Sequence, residues 1–149
     1  TIKGSFAIFT NEPIFNHSYE IILSAIAIGC LNTSILVVNN IRDYKSDKIA
    51  NKKTLVVFFG EKFACFEYSI LLAVSFICFI LIGILINNYI IISTMAFSFL
   101  VGIFLIIKIF NYRKVNLNNL LEKTAQFTFL NALLFSVSVW IAVLSDSSI

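Results

Sequence analysis

Residues Ala64–Phe110 read ACFEYSILLAVSFICFILIGILINNYIIISTMAFSFLVGIFLIIKIF, with Glu67 and Lys108 the only charged side chains. The run breaks once, at Asn87-Asn88, into Ala64–Ile86 and Tyr89–Phe110. Each half is long enough to cross a hydrocarbon core, which takes about 20 apolar residues. A two-residue break between two such segments allows only a tight antiparallel hairpin. Working outward, Tyr19–Val38 and Ala125–Leu144 supply two more apolar windows. The 149-residue chain is 59% hydrophobic and only 13% charged. A water-soluble domain carries about 25% charged residues, so lipid must be part of the solvent. The expected fold is all-α: a polytopic transmembrane bundle of about four spans.

No basic, short-apolar, small-residue leader opens the chain. Thr1–Thr10 reads instead like the tail of a preceding helix, and the start at Thr1 rather than Met leads us to expect a fragment. Cys30, Cys65 and Cys78 have neither metal nor disulfide spacing, and we expect them to be small buried side chains. Nothing in the composition calls for nucleic acid as a partner.

The basic residues are clustered. Arg42, Lys45, Lys48, Lys52, Lys53 and Lys62 fall in one connection, and Lys108, Arg113, Lys114 and Lys123 in another; Lys3 alone lies elsewhere. The Asn11–Ser18 loop, the Asn87–Asn88 turn and the tail Ser145–Ile149 carry no Lys or Arg. Four antiparallel spans place both basic segments on one side, and the positive-inside rule assigns that side to the cytoplasm.

The polar segment after the first span reads Asn39-Asn40-Ile41-Arg42-Asp43-Tyr44-Lys45-Ser46-Asp47. If the helix continues through it, Asp43 and Asp47 share a face. At about 100° per residue, Asn32, Asn39, Asp43 and Asp47 fall within an arc of roughly 80°. Such a stripe should face protein or a wet cavity, not lipid. Two carboxylates about 6 Å apart repel by roughly 3 kcal/mol at an effective dielectric near 20, a cost that a divalent cation removes. Mg²⁺ favours one or two carboxylates, water and phosphate oxygens, and the surrounding Arg and Lys residues suit a diphosphate. On spacing alone, the solvated connector that commonly follows a transmembrane helix is the simpler reading.

The wider string Asn39-Asn40-Ile41-Arg42-Asp43-x3-Asp47-x3-Asn51-Lys52-Lys53-Thr54-Leu55-x4-Gly60 closely resembles the second aspartate-rich motif of the UbiA-type intramembrane prenyltransferases. It looks most like the branch that prenylates 1,4-dihydroxy-2-naphthoate, and Leu120-Leu121-Glu122-Lys123-Thr124-Ala125 with Asn131 is similar to that branch's last helix. One departure is Asn51, where the family more often has Gly; Asn tolerates a left-handed turn better than most residues. The resemblance implies half of a nine-helix bundle, with residues 1–149 forming the C-terminal part of a single prenyltransferase domain. The family's first motif, NxxxDxxxD, is absent from the chain, so the fragment alone should be inactive.

The resemblance further implies Mg²⁺ as cofactor, with Asp43 and Asp47 as catalytic metal ligands. Asn39, Asn40, Arg42, Lys52 and Lys53 would bind the diphosphate. Tyr44, Thr124, Thr128 and Asn131 are candidates for the acceptor pocket, although interhelical hydrogen bonding explains the last three equally well. The implied reaction moves a polyprenyl chain from prenyl diphosphate to 1,4-dihydroxy-2-naphthoate with loss of CO₂, giving demethylmenaquinone. The implied setting is the bacterial inner membrane, multi-pass, with the motif loop cytoplasmic. Another aromatic acceptor, or a non-enzymatic four-helix subunit of a membrane complex, are the alternatives.

Overall fold

The computed structural model describes residues 18–113 and 116–146. The expected helical tail at Thr1–Thr10, the loop with Pro13 and His17, and Lys114 lie outside the described residues. Among the described residues five helices follow one another: α1 (Ser18–Ile49), the short α2 (Leu55–Phe59), α3 (Glu61–Leu85), α4 (Tyr89–Phe110) and α5 (Leu117–Asp146). The four long ones are each long and apolar enough to cross a membrane, and no strand occurs among the described residues.

The helices overrun the apolar windows where polar residues can continue the same hydrogen-bond ladder. α1 passes Val38 and runs on through the motif to Ile49, because leaving the hydrocarbon does not by itself end a helix. α5 begins at Leu117, well before Ala125, where the Asn116 side chain accepts from the backbone N–H groups of Asn118 (3.0 Å) and Asn119 (3.4 Å). Asn is a strong N-terminal cap for this reason.

The hairpin between α3 and α4 is as tight as the two-residue break demands. Asn87 takes the left-handed conformation, φ 53°. The Asn88 side chain caps α4 by accepting from Ile90 N–H (3.0 Å) and Ile91 N–H (3.2 Å), while its own N–H returns to the Gly83 carbonyl at 2.8 Å. Gly83 lets the two helices close: a Cβ there would sit 2.6 Å from Ile92 Cγ1 and 3.3 Å from its backbone nitrogen.

α1 packs on α3, α3 on α4, α4 on α5, and α5 back on α1. The result is a closed ring of antiparallel neighbours around Ala27, Leu31, Val38, Tyr68, Leu72, Phe79, Met95, Ile109 and Leu120, all essentially inaccessible. Outside, Phe97, Phe104, Phe129, Leu130 and Trp140 are exposed, as expected of a surface solvated by lipid. Lipid tails are as apolar as the core, so association rests on close packing and on interhelical hydrogen bonds. α5 supplies most of the latter. Thr124 Oγ1 lies 3.1 Å from Tyr68 Oη on α3, and Thr128 Oγ1 donates to the Leu31 carbonyl on α1 at 3.3 Å. Asn131 Oδ1 accepts from Ser98 Oγ on α4 at 2.5 Å, and Ser138 Oγ lies 3.1 Å from Thr94 Oγ1. This ring puts both basic connections at the same end.

Candidate active site at the basic end of the bundle

The site is built on the last turns of α1. Because the helix is unbroken there, Asp43 and Asp47 stand one turn apart on one face. Asp47 is buried, 4% exposed, while Asp43 is half-buried. Each carboxylate is met by a cation from its own neighbourhood. Arg42 grips Asp43 with two prongs, Nε to Oδ1 at 2.8 Å and Nη2 to Oδ2 at 2.9 Å. The same Nη2 donates to Asn39 Oδ1 at 2.7 Å, tying three residues of the motif into one polar cluster.

Lys52 reaches Asp47 from beyond the helix end, Nζ to Oδ1 at 2.6 Å. The chain folds back to allow it. Asn51 adopts φ 53°, its N–H bonds the Lys48 carbonyl at 3.3 Å, and Lys52 N–H bonds the Asp47 carbonyl at 3.0 Å. Asn at this position therefore supplies the left-handed residue that the turn requires. Thr54 then caps α2, its side chain accepting from Val57 N–H at 3.4 Å, and Gly60, φ 87°, redirects the chain into α3. The Asp47 carboxylate raises the Lys52 pKa above its ordinary value, first through the hydrogen bond and then through charge. The Lys52 charge also acts on Asp43, so one ammonium serves both carboxylates.

The remaining motif residues are placed less tightly. Asn40 is half-buried and Lys53 exposed, and neither side chain makes a hydrogen bond among the described residues. Tyr44 packs against the core with Lys48 Nζ 5.8 Å from its ring centre. It lines a groove of about 560 Å³ with Ile41, Arg42, Lys45, Glu61, Tyr112, Arg113 and Leu117, on the bundle side of α1. Thr124, Thr128 and Asn131 are buried deeper, on the hydrogen bonds described above. Of the polar stripe, Asn32 is exposed: the described helices cover the opposite side of α1, through Ala27, Leu31, Ser34, Val38 and Ile41. The stripe does not face the interior of this bundle.

A second polar cluster escaped the sequence reading. Tyr112 Oη donates to Glu61 Oε2 at 3.1 Å, and Arg113 Nε donates to Tyr112 Oη at 3.1 Å. Arg113 Nη2 is 4.0 Å from the same Glu61 oxygen. These contacts latch the α4–α5 connection onto the start of α3. No periodicity links residues so far apart, so only their charge and their position at span ends could have drawn attention to them.

No group of three or more His, Cys, Asp or Glu side chains able to hold a metal occurs among the described residues. The chain contributes two carboxylates, each already neutralised by a cationic side chain. That donor set fits Mg²⁺, which keeps several waters and takes phosphate oxygens in preference to a full protein cage.

An acidic pair, ringed by cations at one rim of a lipid-solvated bundle, defines a multi-pass membrane protein with a polar site at the bilayer surface. The chain belongs to the UbiA prenyltransferase family, whose model matches residues 2–133. It is 33% identical over 127 residues to a 1,4-dihydroxy-2-naphthoate octaprenyltransferase of Escherichia coli (strain K12), an alignment covering 82% of this chain and 40% of that relative. The chain thus spans about two-fifths of the relative's length. No solved structure gives a significant match.

Proposed function

We propose that the protein transfers a polyprenyl chain from prenyl diphosphate to 1,4-dihydroxy-2-naphthoate, releasing CO₂ and forming demethylmenaquinone. The observation that carries this reading is the pair Asp43 and Asp47, each paired with a cation, Arg42 and Lys52. Family membership and the relative's name support the reaction class and the acceptor. The basic end of the bundle faces the cytoplasm of a bacterial inner membrane by the positive-inside rule.

In this reading Asp43 and Asp47 would hold Mg²⁺, which would supply positive charge to offset that of the diphosphate. Arg42 and Lys52, released from the carboxylates, then supply N–H donors to the departing diphosphate oxygens, where charge develops. Lys53 adds a further positive charge at the rim, and Asn39 and Asn40 add neutral polar groups. The allylic C–O bond breaks, the ring carbon bearing the carboxyl group bonds to the prenyl carbon, and CO₂ departs, leaving its electron pair to restore the aromatic ring. The apolar spans keep bulk water from the allylic cation. Tyr44, Thr124, Thr128 and Asn131 remain the acceptor-pocket candidates, with Tyr44 nearest the rim.

The test is prenyl transfer by the full-length enzyme in membranes, with quinone analysis of the product. Asp43→Asn and Asp47→Asn should each lower turnover by roughly a hundredfold or more, the scale of losing a group that stabilises transition-state charge. Near-normal turnover at saturating Mg²⁺ would remove both aspartates from the mechanism, and a product other than demethylmenaquinone would change the acceptor.

A further inference from the structure

Away from the acidic pair, a cleft of about 530 Å³ opens between the start of α3 and the end of α4. Lys62, Asn111, Tyr112 and Arg113 stand at its mouth, with Cys65, Phe66 and Phe110 forming the wall. No residue of α1 lines it, and it shares only Tyr112 and Arg113 with the groove that Tyr44 lines. Phe66 and Phe110 meet edge to face, ring centres 5.3 Å apart, yet remain 59% and 46% exposed. Cys65 is closed off, its Sγ donating to the Ile109 carbonyl at 3.4 Å. The cleft therefore has an apolar wall that leads from the helix ends toward the hydrocarbon.

Its mouth is positive. Lys62 is exposed, and Arg113 is 77% exposed in its side chain. Arg113 donates Nε to Tyr112, lies 5.5 Å from the centre of its ring and pairs with Glu61 only at 4.0 Å, so most of its guanidinium stays accessible. Glu61 accepts the Tyr112 hydroxyl and does not line the cleft. Two cations above an apolar wall, at the level where helices leave the bilayer, match an anionic phosphate ester carrying an acyl chain. Basic pockets between helices on the cytoplasmic side hold anionic lipid headgroups by this chemistry.

We infer that this cleft binds one anionic phospholipid, its phosphate between Lys62 and Arg113 and an acyl chain along Phe66 and Phe110. The experiment is native mass spectrometry of the full-length detergent-solubilised protein, titrated with dioleoylphosphatidylglycerol, with dioleoylphosphatidylcholine, and with inorganic phosphate as competitor. One equivalent of the anionic lipid should be retained at least about tenfold more tightly than the zwitterionic one. Lys62→Gln should weaken it about fivefold, the fold-change for one interfacial cation. The double variant Lys62→Gln/Arg113→Gln should abolish the preference, and Lys108→Gln, at the same end but outside the cleft, should leave it unchanged. Should Arg113→Gln disturb the latch to Glu61, the exposed Lys62→Gln variant still decides. Equal retention of the two lipids, or a preference undiminished by Lys62→Gln, would overturn the assignment. So would an equal loss in Lys108→Gln, which would mean a diffuse basic rim, or full displacement by inorganic phosphate, which would mean a soluble-anion site.

Discussion

Lys52 and Asp47 form an ion pair across the end of α1, Nζ to Oδ1 at 2.6 Å, with the carboxylate buried and the ammonium largely exposed. Because the acid raises the lysine's pKa above its ordinary 10.5, the pair's contribution is fully present below that value. It disappears as pH rises through the raised folded value. Thermal stability of the full-length protein in detergent should therefore be insensitive to this pair through neutral pH and fall on the alkaline side. Lys52→Arg should move that fall to still higher pH, because guanidinium stays charged. An unchanged alkaline limb in Lys52→Arg would remove the pair as its cause.

Asn51 is the hinge that lets Lys52 return to Asp47, and its φ of 53° disfavours β-branched residues. Asn51→Gly should preserve prenyl-transfer activity, whereas Asn51→Val should lose stability by about 1–2 kcal/mol and raise KM for the prenyl diphosphate. Equal kinetics in the two variants would show that the turn does not position the lysine for substrate.

Gly83→Ala should be costly, since its Cβ would meet Ile92 Cγ1 at 2.6 Å and the Ile92 backbone nitrogen at 3.3 Å. A loss of about 1–3 kcal/mol is expected from overpacking of this kind, measured as unfolding free energy in mixed micelles. Ile92→Ala in the same chain should restore part of it, not all, because the backbone contact persists. No loss in Gly83→Ala would mean that the hairpin opens without cost.

Ser98 and Asn131 join α4 to α5 in the apolar interior, Oγ to Oδ1 at 2.5 Å, while Asn131 Nδ2 is held by the Phe127 carbonyl at 2.8 Å. A double-mutant cycle with Ser98→Ala and Asn131→Ala should give a coupling of about 0.6–1.7 kcal/mol, the range for hydrogen bonds between membrane helices. If Asn131→Ala also raises KM for the aromatic acceptor while Ser98→Ala does not, Asn131 contributes to the pocket as well as to the bundle.

Much of this architecture is legible in one dimension. The run from Ala64 to Phe110 allowed only a hairpin, because two membrane-length segments with two residues between them have no other way to connect. Its observed helices end at Leu85 and resume at Tyr89. The Asp43–Asp47 spacing likewise predicted a shared face, since helical geometry alone determines it once the helix runs on. Asn51 in place of the family's usual Gly was readable too, because left-handed backbone tolerates few side chains.

The partners across the bundle were not readable. That Asp47 is buried under Lys52 while Asp43 stays half-open depends on the chain folding back through Asn51. That Glu61 meets Tyr112 and Arg113, and that Lys62 joins Arg113 over an apolar cleft, depends on which helix ends come together. Hydropathy and periodicity are properties of a single segment, and so the sequence by itself determined the spans, their alternation and the acidic face. Long-range polar contacts depend on how separate helices rotate about their own axes and settle against one another, and only the tertiary packing decides that.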